Sequence, residues 1–405
     1  MRVMFVEASS GGVVGGSLTG LYHLIRGLVA TGVTCSIALY EPKTIEGDLL
    51  AHGVEVYHLA RRRLPKQHGL LQLDSYQKAK RVGAVARTFA LGRRAIRLVL
   101  EELPAAITLA QTIRQDRPDV VHLGNGVRAN FDGLLATRLT RVPVVCHIKG
   151  FEKYSARERR AARHVDAAVC MTRAVHAHCL ENGVAARRTR VIYDAVDEAG
   201  FRPSRARADV RAELGLPAAS PCFGIAGNIQ EWKGQAVVVD AMAQLHRRLP
   251  SAHCVIIGGA HRAGADYETA LRDRVRTLGL GDVIHFTGFR RDIADVMNAL
   301  DVVVHASIRP EPFGRVILEG MLLAKPVVAA AAGGVPELVS DGETGFLVPP
   351  GQPAILADRL VGLLSDAARR ERIGARAQTW ARTHFSLAQQ VSAMNDVYRS
   401  VCLAA

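Results

Sequence analysis

Residues 302–319, VVVHASIRPEPFGRVILE, contain the pattern that decides the fold of this chain. The apolar run Val302–His305 predicts a buried strand, prolines flank Glu311 in the loop that follows, and Gly314 opens a helix carrying Glu319. Backbone N–H groups at the start of such a helix suit an anionic ligand. The stretch therefore predicts a strand–loop–helix unit with two carboxylates, eight residues apart, that can bind sugar hydroxyls.

Similar strand and helix patterns extend from this stretch in both directions. Short apolar runs that predict strands lie at residues 2–7, 33–39, 119–123, 142–147, 167–171, 190–193, 221–227, 252–258, 283–287 and 326–329. Helical stretches separate these runs, and strands that alternate with helices predict parallel sheets covered on both faces. The pattern restarts after Asp197, so we expect two doubly wound α/β domains joined near residues 194–207.

The composition excludes several classes of protein. The 405 residues are 49% hydrophobic and 22% charged, which argues against intrinsic disorder and fibrous structure. We find no uninterrupted apolar run of about 18 residues, and residues 1–16 lack the pattern of a signal peptide. The seven cysteines are scattered without a CxxC pair, which is typical of reduced thiols. We therefore expect a cytoplasmic protein.

The net charge of +14 is concentrated in the first half of the chain. Residues 1–200 contribute +11, and residues 61–99 alone hold 11 basic residues and one acid, Asp74. Such a patch favours an anionic partner, such as membrane lipid, nucleic acid or a phosphorylated substrate. The segment fits a solvated helix face or an amphipathic helix on anionic lipid. The second interpretation predicts peripheral binding to the inner face of the cell membrane.

Two glycine-containing loops follow predicted strands. Glycines at 11, 12, 15 and 16 come after the first strand, where they permit close approach to a ligand but also suit a tight turn. Residues 227–234, GNIQEWKG, follow the first strand of the second domain. A lysine there can neutralise a phosphate, although it also fits an ordinary surface turn. The Gly-x4-Gly-Lys order of a Walker loop is missing.

The motifs in their order resemble those of the retaining family 4 glycosyltransferases of the GT-B fold. The resemblance lies in GNIQEWKG, VIHFTGFRRD, DVVVHAS, EPFGRVILEGMLLAKPVVA, GGVPELV and DGETGFLVPP, and it covers most of residues 220–352. The first half matches more loosely, through PDVVHL, VPVVCHIKG and VIYDAVD. The resemblance implies two Rossmann-like doubly wound domains facing across a cleft. Residues 1–195 would bind the acceptor, residues 196–385 the nucleotide sugar, and a helix at about 386–405 would pack back on the first domain.

The resemblance also implies roles for individual residues. Glu319 would bind the ribose hydroxyls, Glu311 would lie by the donor sugar ring, and Lys233 would bind the diphosphate. Residues 288–290 would lie near the base, and amides near residues 313 and 314 would contact sugar or phosphate. The implied donor-binding residues are Gly15, Gly16, Asn228, Lys233, Gly288, Phe289, Arg290, Glu311, Phe313, Gly314, Arg315 and Glu319. The implied catalytic residues are Glu311, Lys233 and His147, with no cofactor and no metal ion.

Three departures from the family pattern change these expectations. Asn228 stands where the family pairs the lysine with an arginine, so half of the cationic diphosphate clamp is either missing or supplied elsewhere, by Arg315 or Arg309. The family's histidine position holds Lys149, and His147 lies two residues before it, so either can face the sugar. Asp194-Ala195 replaces the usual Asn-Gly.

The resulting expectation is a retaining hexosyltransferase that uses a nucleoside-diphosphate sugar. Cations matter because charge builds on the departing diphosphate. The resemblance implies front-face attack, which requires no separate nucleophile. The acceptor is expected to be a lipid-linked intermediate of a surface polysaccharide or lipopolysaccharide. A sugar-nucleotide epimerase of the same fold is one alternative. A non-catalytic nucleic-acid-binding protein is another, although aromatic residues for base stacking are few.

Overall fold

The computed structural model describes residues 1–8, 16–60, 92, 95–184, 186–260 and 264–404. These residues form two compact units. The N-terminal unit contains Met1–Cys170, Cys179–Arg190 and Met394–Ala405, and the C-terminal unit contains Met171–His178 and Val191–Ala393. The chain therefore enters the second unit at residues 171–178, returns to the first, and enters the second again after residue 190. Its last helix ends in the first unit.

The N-terminal unit is built on a parallel sheet. Its strands are β1 (Arg2–Glu7), β2 (Thr34–Leu39), β3 (Glu55–His58), β4 (Val120–Leu123), β5 (Val144–Ile148), β6 (Ala167–Cys170) and β7 (Thr189–Val191). Its helices are α1 (Gly16–Ala30), α2 (Glu46–Ala51), α3 (Leu103–Asp116), α4 (Gly126–Ala129), α5 (Phe131–Thr140), α6 (Ala156–Ala162) and the C-terminal end of α7 (Arg173–Glu181). Among the described residues the strand order is β3-β2-β1-β4-β5-β6-β7. The order reverses between β1 and β4, as in doubly wound sheets.

The C-terminal unit repeats this architecture. Its strands are β8 (Cys222–Ala226), β9 (His253–Ile257), β10 (Ile284–Gly288), β11 (Val302–His305), β12 (Val327–Ala330) and β13 (Gly345–Val348). Its helices are α8 (Arg207–Glu213), α9 (Gln235–His246), α10 (Ala265–Thr277), α11 (Ile293–Ala299), α12 (Arg315–Leu322), α13 (Val335–Leu338), α14 (Pro353–Leu364), α15 (Ala367–His384) and the first part of α16 (Leu387–Cys402), whose remainder belongs to the N-terminal unit. The strand order β10-β9-β8-β11-β12-β13 places the reversal between β8 and β11.

The strands are apolar because helices cover both faces of each sheet. Val3, Met4, Phe5 and Val6 of β1 are completely buried, although neighbouring side chains point to opposite faces. The last helix completes the N-terminal core. Its Tyr398 is fully buried, and the Tyr398 hydroxyl lies 2.8 Å from Nδ1 of His122.

The structure confirms the predicted fold class of two doubly wound α/β domains. Strands β1 and β11 span the predicted residues, and the other predicted strands shift by at most two residues at their ends. Sequence reasoning missed β3, because Glu55–His58 is short, polar and at the sheet edge. Most of the basic segment 61–99 lies outside the described residues. In the parts of the chain that are described, we find no helix long and apolar enough to cross a membrane.

Candidate active site

The C-terminal sheet brings two loops together at its carboxyl edge. β8 and β11 are parallel neighbours, and the strand order reverses between them. Ligands of open parallel sheets bind in the crevice at such a reversal. The loop after β8 ends in one helical turn, Glu231–Lys233, and the loop after β11 carries Glu311.

An ion pair joins these two loops. Nζ of Lys233 donates a hydrogen bond to Oε2 of Glu311 over 2.7 Å, although the residues are 78 positions apart. The Ser307 hydroxyl donates to the same oxygen over 3.0 Å, and Nε2 of His305 lies 3.4 Å from it. The ammonium of Lys233 also lies 4.0 Å from the ring centroid of Trp232, within cation–π range. One carboxylate oxygen is therefore surrounded by three polar side chains.

The same neighbours keep Glu311 ionised. Burial raises the pKa of its carboxyl, but the hydrogen bond with His305 and the charge of Lys233 outweigh burial and lower the pKa to about 2. A carboxylate with so low a pKa is a poor proton acceptor near neutral pH. The geometry favours Glu311 as a hydrogen-bond acceptor that positions the ammonium of Lys233.

Gly234 allows the two loops to meet. It precedes α9 with a φ of +76°, a conformation that favours glycine. A Cβ atom at this position would lie 1.9 Å from the carbonyl oxygen of Ala306. The backbone N–H of Ile308 also donates to the Trp232 carbonyl over 2.8 Å, which ties the loops together.

Glu319 lies on α12, directly after the Glu311 loop. Burial raises the pKa of its carboxyl, and the charge of Arg315 partly offsets that effect. Nη2 of Arg315 lies 3.7 Å from Oε1 of Glu319, and Nη1 donates to the Ala195 carbonyl over 2.9 Å. Arg315 is therefore already engaged. Arg309 is exposed and forms no ion pair with any described residue, so it remains available to an anion.

The residues expected near the base lie at the end of β10. Phe289 is 74% exposed, and Gly288 has a φ of +65°. Arg290 is bound at both ends of its guanidinium, with Nη1 2.6 Å from Glu213 and Nη2 2.6 Å from Asp292. Phe289 is therefore open to a ligand, whereas the Arg290 charge is neutralised within the unit.

Three further residues of this unit, Asn228, Phe313 and Gly314, were expected to bind the donor. Asn228 follows β8, and its carbonyl accepts a hydrogen bond from Nε2 of Gln235 over 3.0 Å. Phe313 is buried, with its ring centroid 6.3 Å from that of Phe385. Its side chain therefore packs in the core, and a ligand could meet only its backbone. Gly314 precedes α12 with a φ of +96°.

In the N-terminal unit, Gly15 lies outside the described residues and Gly16 is the first residue of α1. His147 is completely buried in β5, and its ring centroid lies 5.4 Å from that of His122. Burial, and then the charge of Lys149, lower the pKa of His147 well below its usual value. Lys149 is half-buried, and its Nζ donates to the Ser17 carbonyl over 3.3 Å.

Sequence reasoning missed several polar residues at the two sheet reversals. In the C-terminal unit, His305 and Ser307 surround Glu311 with Trp232 nearby. In the N-terminal unit, Nδ2 of Asn125 donates to Oε1 of the buried Glu7 over 2.7 Å. Their positions in the sequence could have identified them. Each of these residues lies at the end of a predicted strand or in the loop that follows it.

Glu337, from the GGVPELV motif, has a structural role that its sequence did not indicate. Its carboxylate accepts hydrogen bonds from the backbone N–H groups of Arg173 and Ala174 over 2.9 and 2.8 Å. It also accepts one from the Tyr193 hydroxyl over 2.9 Å. The carboxylate therefore caps the N-terminus of α7.

Two family profiles match this chain. Residues 206–380 match the family described as glycosyl transferases group 1, and residues 15–195 match the glycosyl transferase 4-like domain. The D-inositol 3-phosphate glycosyltransferase of Kineococcus radiotolerans is 39% identical over 223 residues, which are 52% of this chain and 51% of the relative. The chain thus spans about half the length of the curated relatives it matches.

Solved structures resemble the chain along its whole length. Anabaena Alr3699/HepE, in complex with UDP and glucose, has a TM-score of 0.81 at 26% identity, covering 99% of this chain and 100% of that one. Sucrose-phosphate synthase from Thermosynechococcus elongatus has a TM-score of 0.78 at 21% identity, covering 100% of both chains, and shows the same fold. The fold is therefore GT-B. The chain therefore contains a glycosyl transferase 4-like domain followed by a glycosyl transferases group 1 domain, in the same order as the two units.

Proposed function

We propose that this protein is a retaining glycosyltransferase that moves a hexose from a UDP-hexose to an acceptor. The observation that carries the proposal is the Lys233–Glu311 pair at the reversal of the C-terminal sheet. Anabaena HepE, whose structures contain UDP and UDP-glucose, supports the choice of donor, because it is similar to this chain over 99% of its length.

Lys233 would bind the diphosphate of the donor. The charge of Lys233 is balanced by Glu311, and a diphosphate would replace the carboxylate as the partner of the ammonium. Arg309, two residues before Glu311, is the candidate for the second cation that Asn228 does not provide. Glu319 would accept hydrogen bonds from the ribose hydroxyls, and Glu311 would remain anchored by Ser307 and His305 next to the hexose.

The proposed reaction exchanges one bond at the anomeric carbon. The bond from C1 to the diphosphate oxygen breaks, the acceptor oxygen bonds to C1 on the same face, and the acceptor proton passes to the departing diphosphate. Negative charge grows on that leaving group, where Lys233 and the backbone N–H groups before α12 would stabilise it. No step requires Glu311 as a nucleophile, and one of its carboxylate oxygens is already engaged by Lys233, Ser307 and His305.

The proposed acceptor binds the N-terminal unit and carries a phosphate or diphosphate group. The excess of basic residues in the first half of the chain supports an anionic acceptor. A lipid-linked intermediate of a surface polysaccharide or lipopolysaccharide fits that chemistry. So does inositol phosphate, the substrate class in the name of the Kineococcus relative.

Donor binding and hydrolysis across UDP-, GDP- and ADP-hexoses test the proposal. We expect one uridine donor to bind, and Lys233→Ala and Glu319→Ala each to weaken its binding by about 10- to 100-fold, as expected when a charge-assisted hydrogen bond is lost. Arg248→Ala is the matched control, because it breaks an exposed ion pair with Asp358 in the same unit. Its donor affinity should stay within about twofold of the parent protein.

Product analysis separates the remaining alternatives. With lipid-linked and inositol phosphate acceptors offered separately, transfer with retained anomeric configuration is expected to one of them. A new nucleotide sugar formed without any acceptor would instead identify an epimerase. Activity in the presence of a metal chelator is also expected, and its loss would contradict a metal-independent reaction. Failure of every nucleotide sugar to bind would remove the proposal.

A further inference from the structure

A row of apolar side chains is exposed along the helical segment 95–116 of the N-terminal unit. The segment begins with residues 95–97, continues through a wide helical turn, Leu98–Glu102, and ends in α3. The row consists of Ile96, Val99, Leu100, Leu103 and Ile107, whose exposed fractions range from 36% to 56%. We call these five residues the apolar row.

The spacing places the apolar row on one side of the helix. Successive members are three or four residues apart, except for the adjacent pair at 99 and 100, and such residues share a helix face. Other positions of α3 point inward, because Ala105, Ala106, Leu109, Ala110 and Ile113 are buried. The segment therefore has one apolar face in the core and a second that faces solvent, and exposed contiguous apolar faces are typical of interaction sites.

Beside the apolar row, the acidic side chains are mostly buried and a basic side chain is exposed. Glu101 and Glu102 have side chains only 14% and 6% exposed, and Arg97 lies 3.3 and 3.4 Å from their carboxylates. Arg157 of α6 also pairs with Glu102. The acids are therefore turned inward and neutralised, whereas the Arg97 side chain is 60% exposed.

Further basic residues flank the same place. The contact between Arg157 and Glu102 sets α6 beside the start of the row, and the exposed Arg159, Arg160 and Arg163 lie on or next to that helix. In sequence, the row directly follows residues 61–95, in which basic residues outnumber acids 10 to 1. An apolar face bordered by arginines is complementary to an anionic lipid bilayer, whose negatively charged headgroups lie above apolar acyl chains.

We infer that the apolar row is a membrane-docking face that inserts among the headgroups of an anionic lipid bilayer. The segment would lie in the plane of the membrane, with the row in the upper acyl region and the arginines at the lipid phosphates. A second copy of the chain is a poorer match. It would bring its own exposed arginines to the contact, and like charges would repel.

Vesicle flotation without any nucleotide sugar tests this inference independently of the proposed transferase activity. We expect the parent protein to float with vesicles of equal parts phosphatidylglycerol and phosphatidylcholine, and to bind pure phosphatidylcholine far more weakly. The double variant Leu103→Ser, Ile107→Ser should bind anionic vesicles at least about tenfold more weakly, because membrane affinity scales with inserted apolar area. Binding by the parent should also weaken in about 0.5 M salt, where charges are strongly screened.

The matched control is Leu180→Ser with Leu278→Ser, two leucines away from the row that are 55% and 42% exposed. This variant should float like the parent, and circular dichroism should show both double variants to be folded. A parent protein that stays in solution would overturn the inference, as would equal losses in the two variants. A change in oligomeric mass on altering the row, without vesicle binding, would assign the face to contact between copies and would also overturn it.

Discussion

At the scale of single residues, the lowered pKa of Glu311 makes the stability of the C-terminal unit depend on pH. Its folded pKa of about 2 lies below the ordinary value of 4.5, so its pairing stabilises the C-terminal unit above pH 4.5. That stability is lost as the pH falls from 4.5 toward 2, because the carboxyl becomes protonated. The corresponding free energy is on the order of 3 kcal/mol.

We therefore expect Glu311→Gln to lower the unfolding free energy of the C-terminal unit near neutral pH and to approach the parent protein near pH 2. Urea unfolding followed by tryptophan fluorescence measures this, since both tryptophans, Trp232 and Trp380, lie in that unit. The exposed Glu371→Gln should change little at any pH. A deficit in Glu311→Gln that persists unchanged at pH 2 would show that charge is not its cause.

At the scale of elements, the junction between β8 and α9 depends on Gly234. Ala at this position would place Cβ 1.9 Å from a backbone carbonyl oxygen, which cannot rotate away. We expect Gly234→Ala to destabilise the C-terminal unit by about 2–4 kcal/mol, through strain at positive φ plus the forced separation of the two loops.

Gly279→Ala provides the matched comparison in the same unit. Gly279 has a similar φ of +66°, but no atom lies within 4 Å of an added Cβ. Its replacement should cost only about 1–2 kcal/mol, the price of the left-handed conformation alone. Equal losses in the two variants, measured by urea unfolding, would contradict the close approach to Ala306.

At the scale of the whole molecule, acid should act on the N-terminal unit through His147. Burial and the Lys149 charge hold the folded pKa of His147 well below 6.5. The unfolded chain therefore takes up the proton more readily. The stability that depends on the neutral imidazole is complete above about pH 6.5 and is lost as the pH falls below it.

Hydrogen-exchange protection of β4 and β5 measures this effect. Below pH 6.5 we expect the protection factors to fall by up to about tenfold per pH unit, the limit for one proton. His147→Leu should flatten that dependence, whereas His52→Leu, at an exposed histidine of the same unit, should leave it unchanged. An unaltered pH dependence in His147→Leu would mean that other groups control acid stability.

The sequence alone determined the order and type of most elements and the two-domain architecture. Apolar runs such as Arg2–Glu7 and Val302–His305 are local signals, because burial on both faces of a parallel sheet requires apolar residues throughout the strand. The motif order also identified Lys233, Glu311 and Glu319 as candidates. Local signals failed at β3, whose polar residues resemble a loop.

Only the tertiary structure decided which of these residues meet. Lys233, Ser307 and His305 converge on one oxygen of Glu311 because β8 and β11 are neighbours, and strand order is set by the packing of the whole sheet. Packing within the C-terminal unit also buries the Phe313 side chain, and packing within the N-terminal unit leaves the apolar row exposed. The hydrophobic pattern of neighbouring residues predicts helices and strands. The packing of these elements decides which distant loops meet and which faces remain exposed.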